Sequence, residues 1–158
     1  RGSRLDFGYC RIASRSPARR ALVYFDWNTQ VELGYPLLDE QHKRLFALIE
    51  AVAQTLADSA EQRSAAAALL VLIDYAKEHF ATEEGLMLAS GYPDADAHAG
   101  VHHSLLAELD DYYSTVQRGR NANLTVTGLV AFLWHWLIVH INSADRELVA
   151  WLRRSSAH

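Results

Sequence analysis

The chain has 158 residues, half of them hydrophobic and 22% charged, with a formal charge of −4; this is the profile of one compact soluble domain with room for a real core. Residues 1–20 hold six arginines against one aspartate, so the remainder is acidic and no nucleic-acid partner is expected for it. Cys10 stands alone, which excludes an internal disulfide framework, a CxxC redox pair and a thiolate-rich zinc site, whereas eight histidines point toward imidazole-based metal chemistry.

In chain order, residues 1–20 read as a disordered basic tail, with Arg1-Gly2-Ser3 resembling an expression tag. Residues 21–38, which include Phe25 and Trp27, read as an irregular arm lying over the fold. A first helix is predicted after Pro36, with Asp39 as its N-cap and Leu45, Phe46, Leu48, Ile49, Val52 and Leu56 recurring at helical spacing up to Asp58-Ser59. A second spans about 61–89, carries Leu69, Leu72, Ile73, Ala76, Phe80 and Met87, and stops at Gly91-Tyr92-Pro93. The third starts with Asp94 as cap and runs through Leu105, Leu109 and Val116 to Gly119; the fourth is predicted as one helix over about 123–152.

No strand-like alternation competes with these periods. The fold class is therefore all-α: an up-down-up-down antiparallel four-helix bundle, the topology that short breaks favour, with an irregular N-terminal arm. The longest apolar run, Leu129 to Ile141, has 13 residues and contains His135 and His140, so it reads as a buried helix and no membrane partner is expected. No secretory signal is visible either, and a cytoplasmic location is expected.

Polar residues interrupt the apolar faces at telling intervals. His79 and Glu83 are four residues apart, as are His98 and His102, so each pair shares a helix face. His42 falls within the apolar face of the first helix, and His140 in the most hydrophobic stretch of the fourth. Asp145 follows His140 by five residues, about 140° around an ideal α-helix, so a shared site needs long reach or a local distortion. A lone histidine on an apolar face is usually a satisfied core residue. Five imidazoles and two carboxylates in one bundle are costly to bury unless something compensates them, and a metal cluster does so. Nitrogen and oxygen donors without thiolates point to iron, manganese or zinc. With bridging carboxylates and one bridging oxygen, this donor set fills all but one position of two octahedral metals, and such a vacancy suits a small diatomic on redox-active iron.

His42, His79-Phe80-Ala81-Thr82-Glu83, His98-Ala99-Gly100-Val101-His102 and His140-Ile141-Asn142-Ser143-Ala144-Asp145 resemble the hemerythrins, the bacterial ones in particular. The flanking phrases Asp39-Glu40-Gln41-His42-Lys43-Arg44-Leu45-Phe46, Glu83-Glu84-Gly85-Leu86-Met87, Gly91-Tyr92-Pro93 and Trp136-Leu137-Ile138-Val139-His140-Ile141 are similar too, and the likeness covers about residues 24–152. The resemblance implies a hemerythrin-like domain over 21–155. It also implies two iron ions, non-haem and oxo- or hydroxo-bridged, that bind dioxygen reversibly. His98, His102 and His140 would ligate one iron, His42 and His79 the other, and Glu83 and Asp145 would bridge them, with dioxygen at the two-histidine iron. Phe80, Trp136, Leu137 and Ile141 would line an apolar oxygen pocket. Family members occur alone or attached to signalling proteins, so carrier, store and sensor all remain, and a fused or signalling partner domain is compatible with each.

The rival from the enzyme class is a ferritin-like di-iron oxidase or peroxidase. Such bundles use Glu-x-x-His pairs, of which this sequence has none. A metal-free interaction domain would leave the buried histidines and acids unexplained. His103, one residue past His102, His135 and the terminal His158 read as surface or packing residues, Glu84 as solvent-facing, and Tyr75 and Tyr92 as core or loop residues.

Overall fold

Helix α1 runs Pro36–Ala57, α2 Gln62–Ser90, α3 Ala95–Gln117 and α4 Ala122–His140; a π-helical turn, Ile141–Asp145, then leads into α5, Arg146–Ser155. The computed structural model describes residues 31–57, 62–118 and 122–156. The basic tail, Phe25, Trp27 and His158 lie outside the described residues, and among those described there is no strand.

Helix α2 packs against α1 and α3, α4 closes the ring against the same two, and α5 lies against α2. This is the predicted four-helix bundle, with one correction. The fourth segment is not a single helix but α4, a π turn and α5. The local distortion that the His140–Asp145 spacing asks for is thus built into the backbone, since an i→i+5 turn is wider than an α turn and brings the fifth residue back toward the first.

Helix α1 begins three residues before the predicted cap. Pro36 opens it, where a missing N–H costs nothing and φ is already helical. Asp39 therefore sits inside the first turn, its N–H donating to Tyr35 O at 3.0 Å. Its carboxylate turns back to accept the Leu33 N–H at 2.8 Å, which ties the arm to the helix it precedes. Arg153 of α5 holds the same stretch from the other side, donating to Leu33 O at 2.7 Å and Gly34 O at 3.0 Å. Gly34 has φ 69°, a left-handed conformation that favours glycine, and a Cβ there would lie 2.7 Å from the Arg153 guanidinium, which would have to shift.

Helix α2 ends in a Schellman motif. Gly91 adopts φ 64°, its N–H donates to Leu88 O at 3.3 Å, and the Tyr92 N–H reaches Met87 O at 3.0 Å. The hydrophobic contact that accompanies this motif is present, because Met87 and Tyr92 belong to one buried cluster with Leu148 and Leu152. Asp94 takes the N-cap position of α3 as predicted, but its side chain makes no capping hydrogen bond.

The larger core fills the bundle with Leu45, Ile49, Leu72, Ile73, Leu105, Leu109, Leu133 and Leu137 among others. On α2, Phe80 belongs to this core and Met87 to the smaller cluster. Between them, at the level where one apolar cluster gives way to the other, the inward position is taken by Glu83.

Candidate metal centre

Each helix of the ring, together with the π turn, supplies at least one polar side chain to this level. His42 comes from α1, His79 and Glu83 from α2, His98 and His102 from α3, His140 from the end of α4 and Asp145 from the end of the π turn. All seven are buried, none more than 4% exposed. Their ligand atoms fall into two groups, in each of which they lie within 4.8 Å of one another: Glu83, His98, His102, His140 and Asp145 form one, and His42, His79, Glu83 and Asp145 the other.

The two carboxylates belong to both groups, and their oxygens divide the work. Glu83 turns Oε1 toward His79 Nε2 at 3.4 Å and His42 Nε2 at 3.9 Å, and Oε2 toward His102 Nε2 at 3.1 Å and His98 Nε2 at 3.6 Å. Asp145 turns Oδ2 toward His42 Nε2 at 3.2 Å, and Oδ1 toward His140 Nε2 at 2.9 Å and His98 Nε2 at 3.2 Å. Each carboxylate therefore presents one oxygen to the histidine pair and the other to the histidine trio.

These atoms are poorly satisfied without a cation. Both oxygens of Glu83 and of Asp145, and the Nε2 atoms of His42, His79 and His98, are sealed from solvent and make no hydrogen bond. His102 Nε2 and His140 Nε2 face each other at 3.2 Å. Buried polar groups are ordinarily paired, so lone pairs converging on common points fit a cation as the missing partner. The donor set, imidazole and carboxylate without thiolate, suits iron, manganese or zinc.

The rings are oriented from behind. Thr82 Oγ1 donates to Glu78 O at 3.0 Å, so its hydroxyl oxygen is left to accept from Gln41 Nε2 at 3.1 Å. That sets the Gln41 amide with Oε1 toward His79, whose Nδ1–H donates to it at 3.1 Å. His102 Nδ1–H donates to Glu84 Oε1 at 3.1 Å. In both rings the proton is held on the outer nitrogen and the Nε2 lone pair is left for the centre. Phe80 stacks on His102 with centroids 3.9 Å apart and planes at 12°, and Trp136 stacks on His140 at 4.6 Å and 16°.

Titration behaviour follows from this crowding. Burial pushes His79 down to about 4, against the pull of Glu83. For His98 burial acts downward too, but the facing Asp145 and Glu83 carboxylates outweigh it and raise the ring to about 9. Burial and Asp145 both work to raise Glu83, yet the histidines around it, His79 first, hold it down to about 2. Asp145, despite complete burial, is held well below the usual carboxylate range by His140 and its neighbours. Without a metal the centre keeps its anions and takes up a proton at His98.

Of the predicted pocket residues, Phe80, Trp136 and Leu137 line a wholly apolar cavity of about 20 Å³ together with side chains such as Leu105 and Leu133. Ile141 is completely buried at the start of the π turn but is not part of that lining. His103 and His135 are exposed, as expected. Tyr92 is a core residue whose ring lies edge-to-face with His98, centroids 6.4 Å apart. Glu84 faces solvent with 41% of its side chain, as expected, but it also holds the buried His102 ring, which the sequence does not show. Sequence reasoning also passed over Gln41 and Thr82. Their only signal was adjacency to His42 and Glu83, which says nothing about a contact between α1 and α2.

Fold and site together define a four-helix bundle built around a buried histidine–carboxylate cluster of metal-binding type. The family model for the hemerythrin HHE cation binding domain matches residues 33–152. The chain belongs to the hemerythrin family. It is 29% identical to a bacteriohemerythrin of Pseudomonas paraeruginosa over 134 residues, covering 85% of each chain. To a myohemerythrin of Sipunculus nudus it is 33% identical over 119 residues, covering 75% of this chain and 86% of the relative. A crystal structure of wild-type hemerythrin superposes with a TM-score of 0.71 at 27% identity, covering 81% of this chain and 97% of that one. No helix among the described residues is long and apolar enough to cross a membrane.

Proposed function

We propose that the chain binds dioxygen reversibly at a non-haem di-iron centre, as a carrier, store or sensor and not as an enzyme. His98, His102 and His140 would hold one iron and His42 and His79 the other, with Glu83 and Asp145 shared between them. The observation that carries this reading is the division of each carboxylate, one oxygen to the pair and one to the trio, between two groups that share nothing else. Two ferrous ions, if held there, would supply the electrons that reversible dioxygen binding draws on.

The protein's own part is to hold, orient and exclude. The pair offers fewer donors than the trio, so a coordination position would be left for a small ligand at the metal held by His42 and His79. Gln41 and Glu84 keep protons on the outer ring nitrogens, away from the centre. The apolar cavity walled by Phe80, Trp136 and Leu137 has the size of one small molecule and offers water no polar partner, which keeps stray protons out. Family membership supports iron and oxygen, and the absence of any Glu-x-x-His pair counts against an oxidase of the ferritin type. We take the domain to extend over 21–155, preceded by a basic tail, and to work in the cytoplasm.

Iron content and visible spectra test the proposal on protein reduced under nitrogen, then exposed to oxygen, then purged again. Two irons per chain and a colour that comes and goes with oxygen are expected. Irreversible bleaching or steady consumption of a reductant would replace it with a di-iron enzyme, and absence of iron would return the histidines to a structural role.

A further inference from the structure

The outer nitrogens of the two oriented rings face unlike partners. On the trio side, His102 Nδ1–H donates to a carboxylate, Glu84 Oε1, at 3.1 Å. On the pair side, His79 Nδ1–H donates to a neutral carboxamide, Gln41 Oε1, at the same 3.1 Å. Geometry is matched and charge is not. A hydrogen bond to an ionised acceptor is roughly twice as strong as one between neutral groups. Its proton is drawn further from the ring, so the imidazole becomes the more basic ligand. A more basic ligand favours the higher charge state of the metal it holds.

We propose that Glu84 and Gln41 act as positioning residues that give the two metal positions unequal electron donation and thereby set the reduction potential of the centre. The inference rests on the di-iron reading above and adds to it a regulation of that site by two residues that touch neither metal position. Glu84 stabilises the oxidised state on the trio side. Gln41, locked in orientation by Thr82 and Glu78, withholds the same push from the pair side, where the donors are fewer.

Charge can be exchanged while the hydrogen bond to each outer ring nitrogen is kept. In Glu84→Gln the amide oxygen still accepts from His102. In Gln41→Glu one carboxylate oxygen accepts from His79, and the Thr82 hydroxyl turns from Glu78 O to donate to the other. Iron-loaded wild type and both variants are compared by iron content, thermal melting and spectroelectrochemical titration. The expected result is two irons in each, with the potential raised in Glu84→Gln and lowered in Gln41→Glu. If Glu84→Gln alone fails to hold two irons, the direction of the Gln41→Glu shift decides. Unmoved potentials with two irons bound overturn the inference and leave the di-iron reading intact. Loss of iron from both variants also overturns it, since the residues would then retain metal rather than tune it. A wild-type chain that takes up no iron overturns the di-iron reading itself.

Discussion

His79 is one of two imidazoles on the pair side among the described residues and is anchored from behind by Gln41. His79→Ala is expected to lose the iron on that side and abolish oxygen binding while circular dichroism keeps its helical signal; full oxygen affinity in that variant would refute the ligand assignment. The metal-free chain makes a separate prediction at this scale. His79, lowered to about 4 from 6.5, disfavours folding as pH falls through that interval, because the unfolded chain takes the proton first. Glu83, lowered to about 2 from 4.5, adds a further loss on the way down. His98, raised to about 9, contributes stability that is complete below 6.5 and disappears as pH rises through 9. Urea midpoints of the metal-free chain should therefore peak near pH 6.5, and a midpoint still climbing toward pH 9 would show that His98 carries no proton.

Among the elements, the π turn matters most to the centre. Without it, Asp145 would lie about 140° from His140 around the helix and would be turned away from the imidazole it meets at 2.9 Å. The turn also sets the phase of α5, whose Leu148 and Leu152 close the smaller cluster against Met87 and Tyr92. Inserting one alanine after Asn142, an exposed position, would rotate Asp145 and α5 by about 100°. Iron content well below two per chain and a lowered melting temperature are expected, because one bridge and one apolar cluster are lost together. Unchanged iron content would mean that the position of Asp145 does not depend on this turn.

Over the whole molecule, a polar centre is set into an apolar bundle, so stability and reactivity meet at the residues that separate them. Leu137 is one of these, 2% exposed and lining the cavity beside Phe80 and Trp136. Leu137→Ala should cost about 2–5 kcal/mol in denaturant unfolding, as buried leucines do. It should also speed irreversible oxidation of the oxygenated protein by admitting water. An unchanged oxidation rate with the expected loss of stability would assign Leu137 to packing alone.

How much of this was legible in sequence depended on distance along the chain. Helical periods and the Gly91-Tyr92-Pro93 stop were readable because each is decided within one or two turns of backbone. So was the sharing of a face by His79 with Glu83 and His98 with His102. The start of α1 was misread because Asp39 looks like a cap locally, while its carboxylate is used by Leu33 of the arm. The break in the fourth helix could be posed from the His140–Asp145 spacing but not located. By itself, then, the sequence determined an all-helical bundle, the set of histidines and acids placed inward, and a family likeness carried by their order. Only the tertiary structure decided which oxygen of each carboxylate faces which histidines, and which outer nitrogens Gln41 and Glu84 hold. The reason is physical: those contacts depend on the rotation and axial shift of one helix against another, which the summed packing of the core sets and no local interval encodes.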